Sequence, residues 1–154
     1  MLTSLAFWGN WDLDLKCKGD LYIDTHHTIE DVGLSLGKAF YKEWSQNKNI
    51  TRIAYAFCPL DEALTRVVVD VCNRPNNTFN ADFNVEKVGE FETSMTEHFF
   101  YSFAQESRIT QHIHVLHGKN AHHIIETMFK GLGLALNRAC EITGDETQST
   151  KGSL

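Results

Sequence analysis

The chain has 154 residues, of which 42% are hydrophobic, and its formal net charge at pH 7 is −6. This length and apolar content suit one compact domain with a hydrophobic core. The acidic balance and the lack of a Lys/Arg-rich stripe exclude nucleic acids and anionic membranes as expected partners. No apolar run approaches the ~18 residues of a membrane span, so we expect no membrane association.

The cysteine pattern favours a cytoplasmic protein. The four cysteines are widely spaced and form no CxxC motif, which argues against a disulfide framework and against a redox or zinc site built on such pairs. We therefore expect reduced thiols and a cytoplasmic location. The cysteines are Cys17, Cys58, Cys72 and Cys140.

Hydrophobic periodicity predicts three elements at the beginning of the chain. A short helix is expected over 1–7, and the alternation over 11–17 (WDLDLKC) predicts a half-buried strand. Positions 28–44 have helical spacing with one apolar stripe. The turn at Gly19-Asp20 precedes this helix.

The remainder of the chain alternates between strand and helix patterns. Runs rich in β-branched residues predict strands, and longer segments with a period near 3.6 predict helices. The predicted elements are strands over 53–58, 66–72 and 78–84, a helix over 94–105, a strand over 109–116 and a helix over 121–141.

A histidine pair followed three residues later by a glutamate occurs twice. The segment 24–31 (DTHHTIED) recurs loosely as 120–127 (NAHHIIET). On a helix of about 100° per residue, His26 and Glu30 share one face, whereas His27 points about 100° away. One pair therefore cannot close on a single ion, but it can serve two ions on different sides. The repeat predicts a two-metal site, or metals shared between subunits.

The two His-pair segments occupy corresponding places in a duplicated arrangement. In the second half, strands precede the helix over 94–105, the strand over 109–116 and the His-pair helix. The first half repeats this order from the short helix onward, but we expect its upstream strands to be missing. The order predicts one α+β domain made by internal duplication of a sheet-plus-two-helices half-domain. The first half-repeat is expected over 1–48 and is incomplete; the second, with a C-terminal tail, is expected over 49–154.

Several short motifs, in order and at matching spacing, resemble one known family. They are Gly19-Asp20, Asp24–Asp31, Leu60–Leu64, Arg74-Pro75, Glu97–Phe100, His122–Glu126 and Ser149–Gly152. The chain resembles the imidazoleglycerol-phosphate dehydratases of histidine biosynthesis. The resemblance implies a fold like two copies of the second domain of ribosomal protein S5 and a homo-oligomeric shell of twenty-four subunits. It also implies the dehydration of imidazole glycerol phosphate, a small phosphorylated imidazole substrate, to imidazole acetol phosphate.

The resemblance assigns metal-ligand roles to both motifs and to one histidine between them. The implied ligands are His26, His27, Glu30, His98, His122, His123 and Glu126. Mixed imidazole and carboxylate donors suit Mn(II), Fe(II) or Zn(II), and the resemblance favours Mn(II), with two ions per site. Two simpler interpretations stay open: the His pairs occupy helix starts, where they could satisfy backbone groups, and His98 could be a surface residue.

The resemblance also implies substrate-binding and catalytic residues. The implied phosphate contacts are Arg52, Arg74, Lys130, Ser149 and Lys151, and the implied catalytic carboxylates are Glu30, Glu126 and Asp61. Cationic side chains are what a phosphate requires. The alternatives are that Arg74 belongs to a turn, that Lys151 is a tail charge, and that Asp61 and Glu62 are solvated turn residues rather than acid/base groups.

Two features depart from the family pattern. By comparison with the family pattern, we expect N-terminal strands to be missing, and with them an Asp-His that would precede Met1. Trp8 stands where the family usually has a histidine, and an indole cannot accept a hydrogen bond as imidazole does. These departures keep a second function open, namely a dehydratase-derived metal-binding, shell-forming protein without turnover. An unrelated metallohydrolase is the remaining alternative.

Overall fold

The fold is organised around one four-stranded sheet and four helices, described by a computed structural model for residues 1–47, 49–144, 146–152 and 154. In chain order the elements are α1 (Leu2–Gly9), α2 (His26–Trp44), β1 (Ile53–Leu60), β2 (Ala63–Asp70), β3 (Asn76–Asn80), β4 (Lys87–Val88), β5 (Phe91–Glu92), α3 (Met95–Ser107), β6 (Thr110–His117) and α4 (Ala121–Ala139).

The main sheet has the order β1-β2-β6-β3. β1 and β2 form an antiparallel hairpin, β6 pairs antiparallel with β2, and β3 runs parallel to β6. Every second residue of β1 and β2 is buried, as a sheet with one covered face requires. The open face carries exposed side chains of Ile53, Tyr55 and Phe57.

The helices form a layer over the covered face of the sheet. α4 packs on β1 and β2, and α3 packs against β3. α1 lies beside α4, and α2 lies beside α3. The core between the layers is apolar and includes the fully buried side chains of Phe100, Phe103, Ile113, Ile125, Met128 and Leu132.

Two glycines on one face of α2 allow that helix to approach α3 closely. A Cβ at Gly33 would lie 3.0 Å from the carbonyl oxygen of Phe99, and one at Gly37 would lie 2.6 Å from that of Phe103. At the far end of α2, the indole N–H of Trp44 donates to the Ser107 carbonyl over 2.9 Å. Residues early in α2 therefore face residues early in α3, and the two helices run side by side in the same direction.

Most of the sequence-predicted elements are present, but the predicted strand over 11–17 is wrong. Residues 11–20 have no regular secondary structure. The alternation has another cause: Trp11 and Leu13 pack against the core, with the Trp11 ring 5.4 Å from that of Phe40. Within the described residues this segment has no neighbouring strand, and a strand pattern without a ladder partner does not form a sheet.

Other strands also differ from expectation, and the strand predicted over 66–72 is β2, at Ala63–Asp70. The strand predicted over 78–84 runs instead from Asn76 to Asn80, where its pairing with β6 ends. The hairpin of β4 and β5 was not expected, because its strands have only two residues each. The α+β fold class is confirmed, whereas the boundary between half-repeats at 48 and 49 stays a prediction. No described helix combines the length and apolarity needed to cross a membrane.

Candidate metal and substrate site

The beginnings of α2 and α3 bring together three potential metal ligands. One ligand atom each from His26, Glu30 and His98 lie within 4.8 Å of one another, close enough for one ion to contact all three. Nε2 of His98 lies 3.7 Å from Oε1 of Glu30, and the His26 and His98 rings are 4.5 Å apart between centroids. Nε2 of His98 is buried and, among the residues that the structure describes, has no hydrogen-bond partner. The sequence placed His26 and Glu30 on one helical face, and the fold adds His98.

Local structure explains why His26 lies at the cluster. The Asp24 carboxylate accepts a 2.8 Å hydrogen bond from the backbone N–H of His26 and so satisfies a free donor at the beginning of α2. The close approach of α2 to α3 at Gly33 and Gly37 then sets the separation between Glu30 and His98. Asp24 thus satisfies one backbone donor in the first turn of the helix, and the His26 ring is left for the cluster.

His27 lies outside this three-donor cluster. Its Nδ1 is 2.8 Å from a carboxylate oxygen of Asp20, in the loop before α2. The hydrogen bond that His27 donates to Asp20 raises the pKa of His27 and lowers the pKa of Asp20. The direction predicted from helix geometry, about 100° away from His26, is consistent with this separate environment.

The second motif has a similar first turn and a cationic neighbour. The Asn120 side chain caps α4 by accepting the backbone N–H groups of His122 and His123 over 2.9 and 3.4 Å. Nε2 of His122 lies 3.2 Å from Glu126, and the Lys130 ammonium lies 2.8 Å from the other oxygen of Glu126. The bond from Lys130, aided by His122, lowers the pKa of Glu126. Glu126 is therefore held as a carboxylate.

His123 is held by a carboxylate that sequence analysis did not assign to the site. Its Nδ1 lies 2.8 Å from Glu62, in the turn between β1 and β2. The other Glu62 oxygen accepts the backbone N–H groups of Lys119 and Asn120 over 3.0 and 2.7 Å. These bonds, that of His123 first, lower the pKa of Glu62 to about 2. No signal in the sequence links Glu62 to His123, because the contact depends on the pairing of β2 with β6.

Asp61, the predicted catalytic carboxylate, is exposed beside Glu62. Its side chain is 76% exposed and lies 3.8 Å from Nε2 of His123. Its backbone has a left-handed φ of 46° at the tip of the β1–β2 turn. The structure thus brings Asp61 near the second motif, but Glu62 makes the short bond there.

Both histidine motifs face the same end of the helical layer. A cavity of about 500 Å³ lies between α2, α4 and the hairpin of β4 and β5. His122 lines it from α4, and Thr28 lines it from α2, one residue after His27. Its other lining residues are Met1, Leu2, Ile29, Val32, Val88, Phe91, Phe99, Ile125 and Phe129. The walls are mainly apolar, and the first turns of both α2 and α4 contribute to them.

The predicted phosphate-binding residues fall into two groups. The Arg52 guanidinium makes two bonds to Asp70, of 2.7 and 3.0 Å, and a 2.7 Å bond to the Gln148 carbonyl. Arg74 lies 3.6 Å from the same Asp70. Arg52 therefore ties the segment of Ser149 and Lys151 to the sheet. Lys130 belongs to the other group, with Glu126.

Comparison with known proteins agrees with these observations. A family model described as imidazoleglycerol-phosphate dehydratase matches residues 1–136. The chain belongs to that family. The imidazoleglycerol-phosphate dehydratase of Methylobacillus flagellatus is 48% identical over 157 aligned residues, which cover 100% of this chain and 79% of that protein. The expected family is confirmed, and with it the assignment as an enzyme, a dehydratase of the lyase class in histidine biosynthesis.

Solved structures of imidazoleglycerol-phosphate dehydratases share the fold. The enzyme from Staphylococcus aureus superposes with a TM-score of 0.87 at 37% identity, covering 92% of this chain and 80% of its own. The enzyme from Pyrococcus furiosus has a TM-score of 0.80 at 35% identity, covering 99% of this chain and 83% of its own. The family membership therefore rests on fold as well as sequence.

Trp8, which departs from the family pattern, lies near the end of α1. Its side chain is partly exposed and stands edge-on to the exposed ring of Phe7, with 5.7 Å between centroids. α1 packs against α4, with Gly133 of α4 close to the backbone of Leu5 and Gly9.

Proposed function

We propose that the chain is a manganese-dependent lyase that dehydrates imidazole glycerol phosphate to imidazole acetol phosphate in the cytoplasm. The observation that carries the metal dependence is the cluster of His26, Glu30 and His98. A buried imidazole nitrogen without a hydrogen-bond partner costs free energy. His98 has such a nitrogen among the described residues, and it lies close to potential metal-ligand atoms of His26 and Glu30. A cation between them would satisfy it, so the donor set fits a metal ion.

The proposed ligand set divides between the two motifs. His26, Glu30 and His98 would hold one Mn(II), and His122 and Glu126 would contribute to a second, with His27 and His123 as further donors. Imidazole and carboxylate donors together suit Mn(II). When bound, the metal would supply Lewis-acid polarisation and a template for the substrate.

The protein's own groups would bind the phosphate and move protons. Arg52 and Arg74 supply cationic donors near the segment that carries Ser149 and Lys151, and Arg52 orients that segment through Gln148. Lys130 holds Glu126 in its ionised form. Glu30, Glu126 and Asp61 are the proposed proton-transfer groups. Glu30 and Asp61 make only long contacts, 3.7 Å to His98 and 3.8 Å to His123, whereas Glu126 is bonded to Lys130 over 2.8 Å.

The test is turnover and metal affinity measured on the same protein. We expect dehydration of imidazole glycerol phosphate that is lost with a chelator and restored by Mn(II). His98→Ala should weaken Mn(II) binding by more than about 100-fold, because losing even an outer partner of a ligand costs ~10–100-fold. His117→Ala is the control, since His117 is an exposed histidine at the end of β6.

The outcomes separate the two candidate functions. Turnover that survives complete chelation contradicts the metal dependence. Bound Mn(II) without turnover favours the alternative of a metal-binding, shell-forming protein, and restoring turnover with Trp8→His would then identify Trp8 as the cause.

We further propose a homo-oligomer, for which the family resemblance implies twenty-four subunits. The exposed apolar side chains of Ile53, Tyr55 and Phe57 on the open sheet face support self-association. Sedimentation velocity with and without Mn(II) measures the assembly directly. A monomer under both conditions contradicts the proposal.

A further inference from the structure

We infer that Asp20 and Glu62 are positioning residues that orient the second histidine of each motif towards a metal ion. Each carboxylate binds Nδ1 of its histidine over 2.8 Å: Asp20 binds His27, and Glu62 binds His123. The inference rests on the metal dependence proposed above and names two residues beyond the ligand set.

The chemistry of the contact selects one form of the imidazole ring. A carboxylate only accepts hydrogen bonds, so Nδ1 must carry the proton that it donates. Nε2 of the neutral ring is then left with its lone pair, which is the form that binds metal. In His123 that nitrogen lies 3.8 Å from Asp61, beyond hydrogen-bond distance. In both rings Nδ1 is fixed by a carboxylate, and within the described part of the chain Nε2 makes no hydrogen bond, which leaves it for a ligand.

The two carboxylates come from non-equivalent places in the repeat. Asp20 stands four residues before Asp24, which begins the first motif, and the position four residues before Asn120 holds Leu116. Leu116 cannot accept a hydrogen bond, and Glu62 from the β1–β2 turn makes the bond instead. Because the two carboxylates come from different places in the chain, the contact was not simply duplicated along with the motif. Its presence in both copies supports a role for the contact itself.

The Glu62 carboxylate is held by further bonds, and the loop that carries Asp20 is packed closely against α2. Glu62 accepts two backbone N–H groups, from Lys119 and Asn120, at the beginning of α4. The loop of Asp20 lies against the first turn of α2, and a Cβ at Gly19 would collide with the Thr28 hydroxyl. Because the carboxylates already orient the imidazole rings before the metal binds, little side-chain entropy is lost on binding.

The test compares Asp20→Asn and Glu62→Gln with matched surface controls. Mn(II) affinity is measured on the intact protein by electron paramagnetic resonance of the free ion. We expect each variant to bind Mn(II) ~10–100-fold more weakly, the usual cost of removing an outer-shell partner. Asp14→Asn and Glu90→Gln make the same charge changes at exposed positions and should leave the affinity unchanged.

A second readout isolates positioning from stability. In metal-free protein with ¹⁵N-labelled histidine, solid-state NMR should show His27 and His123 with the proton on Nδ1. The thermal midpoint of the metal-free variants should match that of the parent protein.

Each possible result has a distinct meaning. If the parent protein binds Mn(II) and both variants bind it equally well, the positioning role is overturned and the metal function stands. If the parent protein binds no Mn(II), both proposals fail. A proton on Nε2 of these histidines in the parent protein also overturns the positioning role. The same holds if the variants that bind Mn(II) more weakly also have a lower thermal midpoint without metal, because the loss of affinity would then reflect a loss of stability.

Discussion

The guanidinium of Arg52 already has two protein partners without any ligand. It forms two bonds with Asp70 and one with the Gln148 carbonyl, and the Asp70 bonds raise the pKa of Arg52. Its side chain is only 16% exposed. Arg52 therefore connects the sheet to the C-terminal segment, and its proposed contact with phosphate would add to a structural role.

Replacing Arg52 by lysine should lower the stability. A lysine cannot reproduce the two parallel bonds to Asp70, and a hydrogen bond to a charged group contributes about 1.5–3 kcal/mol. We expect Arg52→Lys to reduce the free energy of unfolding by about 1–2 kcal/mol in urea denaturation. Arg74→Lys is the matched control, because Arg74 reaches the same Asp70 with a 64% exposed side chain. Equal losses in the two variants would contradict the expectation.

The cysteines should differ sharply in their reactivity. Cys17 is exposed, whereas burial raises the pKa of Cys140 to about 11. The thiolate is the reactive form, so iodoacetamide at pH 8 should label Cys17 and leave Cys140 unmodified until the pH approaches 11. Peptide mapping by mass spectrometry checks this, and labelling in urea should reach all four cysteines. Equal native labelling of Cys17 and Cys140 at pH 8 would contradict the burial of Cys140.

At the scale of elements, the contact between α2 and α3 controls the metal cluster. Gly37→Ala would place a Cβ 2.6 Å from the Phe103 carbonyl oxygen, so the helices must separate. Overpacking costs about 1–3 kcal/mol, more than the ~1 kcal/mol that alanine gains over glycine in a helix. We expect a lower free energy of unfolding in urea and weaker Mn(II) binding. Ser35→Ala, at an exposed position on the same helix, should change stability by less than about 0.5 kcal/mol.

Sequence periodicity predicted the long elements well and the short ones poorly. α2 and α4 have strong helical periods, and β1 and β2 are mainly apolar runs bounded by turns, so local pattern and fold agree. The strand over 11–17 was wrong because alternation reports burial on one side and does not ensure a partner strand. β4 and β5 are too short for any period to be read from the sequence.

For the candidate site too, contacts within one helix were predictable from the sequence, whereas contacts between elements were not. The spacing of His26 and Glu30 predicted their shared face from helix geometry alone. His98 was assigned by family resemblance, since no local pattern joins it to α2. The bond that His123 donates to Glu62 was not predicted, because it depends on strand pairing that brings the β1–β2 turn beside α4.

For the whole molecule, metal binding should raise the thermal stability. A ligand that binds only the folded state at 100 times its dissociation constant adds about 2.7 kcal/mol. For a domain of this size we expect the thermal midpoint to rise by roughly 5–10 °C with Mn(II) and to fall back with a chelator. A variant carrying both His26→Ala and His98→Ala is the control, and an equal rise in that variant would show that Mn(II) acts elsewhere.

The sheet order has a consequence for how the chain folds as it is made. β6 lies between β2 and β3, yet it is synthesised after both. The β1–β2 hairpin forms from neighbouring residues, whereas β3 pairs with β6 and, among the described residues, with no other strand. Pairing distant segments is the slow part of folding. A growing chain therefore carries two fragments of sheet that join only when the strand ending at His117 is inserted between them.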